Sequence, residues 1–215
     1  LQTLGINKNR LVVTGNPRYD YIQMKKDRNN LKNSNKLILF TISRWHKNYE
    51  EYLPGLIRFC NNNNLEIIIK IHPMYKVVLR KTIDNNIKVI KQKCEGLKFE
   101  IIYEPGIEIL LPKADIVVLG SPTSTVGVES SLFDLPIISA NVEKQVFYDF
   151  TIQYHKDKVA LYASSLKELQ DCIEKVINDS IGKKLQKSRK KFNSNINYIN
   201  DGKSPDRILF TSCSL

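Results

Sequence analysis

The sequence contains no run long and apolar enough to cross a bilayer as a helix. Leu65–Ile71 is interrupted by Glu66 and Lys70, whereas a span needs roughly eighteen or more consecutive apolar residues. Residue 1 is Leu rather than Met, and no basic-then-apolar signal segment stands before the first apolar run. The numbering is therefore expected to begin inside a longer polypeptide. Cysteine is sparse: Cys60, Cys94, Cys172 and Cys213 are scattered without any C-x-x-C spacing. That scatter argues against a metal site or a disulfide framework, and free thiols in a reducing cytoplasm are expected. No internal repeat is visible, and no D-x-D acidic motif offers a metal site.

What is present suffices for one sizeable core at 215 residues and is short for two. The hydrophobic fraction of 42% and charged fraction of 26% are those of an ordinary globular domain. The formal net charge of +11 is unusual. Such an excess attracts anions, whether an anionic substrate, an anionic membrane surface or nucleic acid. Much of it sits in Lys183–Lys191 (KKLQKSRKK), whose helical spacing predicts a solvated helix face. The cations are not interleaved with aromatic residues and no nucleic-acid motif is present, so nucleic acid is not an expected partner.

Short β-branched runs alternate with stretches of helical period. The runs are Leu11–Thr14, Leu37–Ile42, Leu65–Ile71, Phe99–Tyr103, Asp115–Leu119 and Leu135–Ser139. Most are continuous rather than alternating, as expected of strands covered on both faces. Helices are expected at Tyr19–Lys32, Tyr49–Asn62, Lys76–Lys93, Gly106–Leu111 and Ser124–Phe133. After a loop at Asn141–Phe150, a short strand at Val159–Tyr162 and helices at Ser164–Asn178 and Ile181–Ile199 complete the pattern. The alternation predicts an α/β chain: a Rossmann-like, doubly wound parallel sheet of about six strands, with helices on both faces and a C-terminal helical extension.

Ligands of such sheets bind beyond the carboxyl ends of the strands, and five polar segments fall there. In TGNPRYD (14–20), Gly15 permits a tight turn and Pro17 suits a first helical turn, so Gly15 and Asn16 are candidates for a hinge beside a cleft. In SRWHK (43–47), Arg44 and Lys47 offer charge-assisted contacts to phosphate. His72-Pro73 leaves an imidazole at the sheet's rim, a candidate phosphate donor or proton shuttle. The Tyr103–Gly106 turn is open to a structural reading or to backbone contacts with a base. The fifth segment, DIVVLGSPTSTVGVE (115–129), is the most informative. Ser121, Thr123, Ser124 and Thr125 bring hydroxyls and amides to a helix start, a setting suited to a pyrophosphate. Glu129, four residues after Thr125, cannot favour phosphate by charge but can accept hydrogen bonds from ribose hydroxyls.

The stretches VTGNPRYD (13–20), IKIHP (69–73), ADIVVLGSPTSTVGVES (114–130), LPII (135–138) and NDGKSPDRI (200–208) resemble the C-terminal domain of GT-B-fold glycosyltransferases and their relatives. These relatives include the non-hydrolysing UDP-N-acetylglucosamine 2-epimerases and the CDP-glycerol glycerophosphotransferases of teichoic acid synthesis. The resemblance implies a donor-binding half, with Thr123–Thr125 near the donor phosphates, Glu129 on the ribose and His72 near the diphosphate as the candidate catalytic residue. It implies no cofactor apart from the substrate itself, a nucleotide-sugar or CDP-polyol donor, and a metal-independent transfer. A preceding N-terminal domain would bind the acceptor and supply the base, with peripheral contact to an anionic membrane from the cytoplasmic side. The epimerases usually carry Asp-Ser-Gly-Gly where this chain has Ser121-Pro122-Thr123-Ser124. The Ser-Thr-Val-x-x-Glu pattern at 124–129 looks closer to capsule and surface-polysaccharide transferases, whereas Asp201-Gly202-Lys203 with Arg207 looks like the glycerophosphotransferases. Donor-dependent transfer, hexosamine 2-epimerisation and a non-catalytic basic binding module all remain open at this point.

Overall fold

The structure, a computed structural model, describes residues 12–26, 35–142, 144, 152–178, 181–196 and 201–213. Its strands are β1 (Leu37–Ile42), β2 (Glu66–Ile71), β3 (Glu100–Ile102), β4 (Ile116–Leu119), β5 (Ile137–Ala140) and β6 (Leu161–Ala163). They form one parallel sheet in the order β3-β2-β1-β4-β5-β6. Every residue of β1, β4 and β5 is buried, as continuous apolar strands between two helical layers require.

Side chains alternate across these strands, so each strand feeds two cores. Ile38, Phe40 and Ile42 of β1, with Ile116 and Val118 of β4, face one layer. That layer contains α2 (Tyr49–Asn62), α3 (Arg80–Lys93) and α6 (Leu166–Ile177). Leu39 of β1, with Val117 and Leu119 of β4, faces the opposite core. There α1 (Pro17–Lys26), the single turn α4 (Ile107–Leu110), α5 (Val126–Leu132) and α7 (Gly182–Ile196) supply Ile22, Leu110, Val128 and Phe192. A last helix, α8 (Ser204–Cys213), packs on α1.

The doubly wound parallel sheet expected from the sequence is present, with local corrections. Leu11 lies outside the described residues, and Val12–Thr14 is not a strand, with Val12 and Val13 61% and 63% exposed. This segment joins neither edge strand, β3 or β6, and the Thr14 carbonyl accepts from Arg207 Nε at 2.8 Å. The last strand begins at Leu161 rather than Val159, because the amides of Val159 and Ala160 turn back to the Tyr154 carbonyl at 2.8 and 3.2 Å. Helix α3 begins at Arg80 rather than Lys76: a 3-10 turn at Pro73–Lys76 and a left-handed Leu79 (φ 57°) precede it. Expected elements at 27–32, 145–150 and 197–199 fall outside the described residues. Helix α8 was not expected.

Cys60, Cys94 and Cys172 are free and buried. Along α7, Leu185, Arg189 and Phe192 turn inward while Lys184, Lys187, Lys190 and Lys191 are exposed. Arg189 is paired with Asp134 at 2.9 Å. Among the described residues, no helix is long and apolar enough to cross a membrane.

Candidate functional site

The strand order reverses between β1 and β4. Chains leaving these two strands turn to opposite faces, and a crevice opens between them. A cleft of about 640 Å³ occupies this place. Its lining comes from Thr41–Ser43 after β1, Lys70 and His72–Met74 after β2, Gly106–Glu108 after β3, Ser121 and Thr123–Val126 after β4, and Arg18 from α1.

The β4–α5 turn is held by bonds within a few residues. The amide of Ser124 donates to the Ser121 carbonyl at 3.1 Å, and Ser124 Oγ accepts from the Val126 amide at 3.4 Å. Gly120 is required here: a Cβ would sit 2.7 Å from Tyr49 Oη and 2.9 Å from the Thr41 carbonyl oxygen. Tyr154 braces the turn, its hydroxyl donating to the Ser124 carbonyl at 2.7 Å. The helix begins at Val126, two residues later than expected, and has seven residues. Its first amides, Gly127 and Val128, already donate to the Ser124 and Thr125 carbonyls at 3.0 Å. The polar groups this turn offers the cleft are therefore the hydroxyls and outer amides of Ser121–Thr125 more than a helix dipole.

His72 ends β2, its amide donating to the Ile42 carbonyl at 2.9 Å. Its ring Nδ1 accepts from the Met74 amide at 3.2 Å. With Nδ1 engaged as an acceptor, Nε2 is the ring's available donor, and the side chain lines the cleft. Lys70 is buried, and its Nζ donates to the carbonyls of Ile71 (3.0 Å) and Tyr103 (2.6 Å). Burial pushes its pKa down, and the carboxylates of Glu104 and Glu108 oppose that shift.

Glu129 is 1% exposed. Its Oε1 receives both Nε and Nη2 of Arg18, at 2.7 and 2.6 Å. Its Oε2 is buried without a hydrogen-bond partner. Burial raises the Glu129 pKa; Arg18 opposes the rise and Glu108 adds to it.

Arg18 owes its position to both ends of the chain. Asn16 Oδ1 accepts from the Arg18 amide at 3.0 Å, an N-cap bond at the start of α1, and Pro17 occupies the first helical position. Gly15 has φ +91°, and a Cβ there would meet Ser204 Oγ at 2.3 Å. Ser204 donates its amide to the buried Asp20 at 2.9 Å, and Arg207 bonds Asp201 through both carboxylate oxygens at 2.9 Å. Thus residues 201–207 clamp the turn that carries Arg18.

Of the residues selected from sequence, His72, Ser121, Thr123, Ser124 and Thr125 line the cleft. Glu129 reaches it through Arg18, while Gly15 and Asn16 form the turn behind that arginine. Arg44 and Lys47 are exposed and outside the lining; Ser43 represents their loop. Arg18, Lys70 and Glu108 line the cleft without having been selected. The first two lie inside the GNPRYD and IKIHP stretches, which was the available signal. Among the described residues, no group of His, Cys, Asp and Glu side chains is arranged to hold a metal.

Comparison with solved structures places the same fold in several proteins. UDP-GlcNAc 2-epimerase of Methanocaldococcus jannaschii, in complex with UDP-GlcNAc and UDP, superposes with a TM-score of 0.61 at 18% identity, covering 100% of this chain and 57% of that one. A variant of the wall teichoic acid polymerase TagF gives 0.60 at 15% identity, covering 95% and 52%. A glycosyltransferase from Rickettsia africae gives 0.58 at 12% identity, covering 96% and 57%. The chain thus spans a little over half the length of these proteins. A search of curated proteins finds no match. The family model of CDP-glycerol:poly(glycerophosphate) glycerophosphotransferases matches residues 2–211, and the chain belongs to that family.

Proposed function

We propose that the cleft binds a nucleoside-diphosphate-activated polyol of the CDP-glycerol class, and that the chain is the donor half of a transferase building a surface polymer. The observation that carries this reading is the cleft at the sheet's switch point. It joins an amide- and hydroxyl-rich turn at Ser121–Thr125 to the guanidinium of Arg18, which the buried Glu129 carboxylate holds from behind.

In glycerophosphate transfer, an acceptor hydroxyl oxygen attacks the β-phosphorus of the donor. The bond from that phosphorus to the bridging oxygen breaks, and CMP departs with the bridging oxygen. The acceptor's proton passes to a base, which the family resemblance assigns to a preceding domain. Catalysis of this kind rests on positioning and on donors aimed at the phosphate oxygens. Ser121, Thr123, Ser124 and Thr125 hold the diphosphate. His72 donates from Nε2 to a phosphoryl oxygen and is the proposed catalytic residue of this half. Glu129, which does not line the cleft itself, acts through Arg18, whose guanidinium it holds at the cleft. The exposed lysines of α7 support contact with an anionic membrane bearing the acceptor.

Calorimetry with CDP and UDP tests the reading. CDP should bind the wild-type chain, and Glu129→Ala should weaken it about tenfold to a hundredfold, the range for a lost charge-assisted hydrogen bond. A folded wild-type chain that binds neither nucleotide contradicts it.

A further inference from the structure

The Arg18–Glu129 pair is lopsided. The carboxylate side chain is 2% exposed, while the arginine side chain that bonds it is 64% exposed and lines the cleft. A pair that served only to neutralise a buried acid would gain by enclosing the cation and by engaging both carboxylate oxygens, since bidentate geometry is the stronger one. Here Nε and Nη2 converge on Oε1 alone, and Oε2 is buried without a partner. A guanidinium has five N–H donors. Two meet Oε1, and the other three have no partner among the described residues.

From this geometry we infer that Arg18 is a ligand-binding residue in its own right. It bridges the carboxylate to the anionic part of the ligand and presents its remaining N–H groups to a diphosphate oxygen. The inference rests on the cleft being a nucleotide site and deepens that reading by naming the phosphate contact of Arg18. Glu129 acts as the positioning residue for this cation: by fixing Nε and Nη2 it aims Nη1 without immobilising the whole arm.

The rest of the molecule is built to keep that arm in place. Asn16 fixes the Arg18 amide, and α8 holds the turn through Ser204 on Asp20 and Arg207 on the Thr14 carbonyl. A cation on so exposed a side chain gains from being delivered by a rigid turn, because less conformational freedom is lost when the ligand arrives. The cleft's other basic lining side chain, Lys70, already donates to two carbonyls. Lys70 thus keeps one N–H donor and is buried, whereas Arg18 keeps three and is exposed in the cleft.

The test compares CDP with cytidine, which share the base and ribose and differ in the phosphates, using calorimetry on the full chain. Arg18→Gln should weaken CDP about tenfold or more and cytidine by less than about threefold. Arg18→Lys should recover part of the CDP affinity, since it keeps the charge and loses the fork. If CDP binds the wild type and Arg18→Gln equally, or if the variant loses CDP and cytidine in equal proportion, Arg18 does not touch the phosphates. A wild type that binds neither ligand sinks the nucleotide reading and this inference together. Thermal melting of each variant identifies loss of fold; should Arg18→Gln not fold, Arg18→Lys decides, and unchanged CDP affinity in it overturns the inference.

Discussion

Between Ser121 and Val126 the cleft is walled by neutral amides and hydroxyls, tied to one another across a few residues. The Arg18 side is charged, and its bonds join residues 111, 184 and 193 positions apart. The first wall forms wherever β4 turns into α5 and needs little beyond Tyr154 behind it. The second exists only when the sheet, α1 and α8 are all assembled. Neutral donors close to their own backbone make a preformed anion cradle, whereas a charged arm must be brought from afar and held by a clamp. Damage to the clamp should therefore unmake the charged wall and spare the neutral one.

The largest effect is expected at Gly15. Gly15→Ala places a Cβ in a left-handed backbone (φ +91°) and 2.3 Å from Ser204 Oγ, which should destabilise the fold by about 1–3 kcal/mol. Chemical denaturation measures the loss, and amide exchange should show it concentrated in α1 and α8 rather than in the β4–α5 turn. A uniform loss across the sheet would break the distinction between the walls.

A pH-dependent effect should follow at Glu129. Burial raises its folded pKa, so the folded chain holds this proton more tightly than the unfolded one. Its contribution to stability is complete below the ordinary carboxylate pKa and declines as pH rises through the raised value. Glu129→Gln abolishes the titration. Its melting temperature should therefore climb relative to the wild type as pH rises above the ordinary carboxylate range and through the raised value. A difference that stays flat with pH would mean that Arg18 compensates the carboxylate fully.

The smallest effect belongs to the neutral wall. Tyr154→Phe removes the bond to the Ser124 carbonyl and should reduce stability by about 1 kcal/mol. Chemical shifts should move around Ser121–Val126 and leave α8 unchanged. Shifts reaching α8 would show that the two walls are coupled.

This contrast also explains what was legible in the sequence. The strands β1, β4 and β5 are nearly continuous apolar runs and β2 is an apolar run broken by Lys70, while Ser121–Thr125 and His72 stand at strand ends, where side chains meet a cleft by local geometry alone. Val12–Thr14 misled because a β-branched run says nothing of whether a neighbour is free to pair with it. Helix α8 carried a signal that went unread: Ser204, Pro205 and Asp206 together are a helix start. The Arg18–Glu129 pair had no local signature, since its partners meet only after α1 has packed on α5. Lys70 was hidden for another reason: its Nζ is defined by carbonyls at the ends of two strands, which no spacing reveals.

The most direct test of the central claim is residue-resolved. Amide chemical shifts of the folded chain, followed during titration with CDP, should move at Thr123–Val126, at His72 and at Arg18, and saturate with a single affinity. Movement confined to other surfaces, or no movement at these three places while the chain remains folded, would contradict the placement of a nucleotide in this cleft.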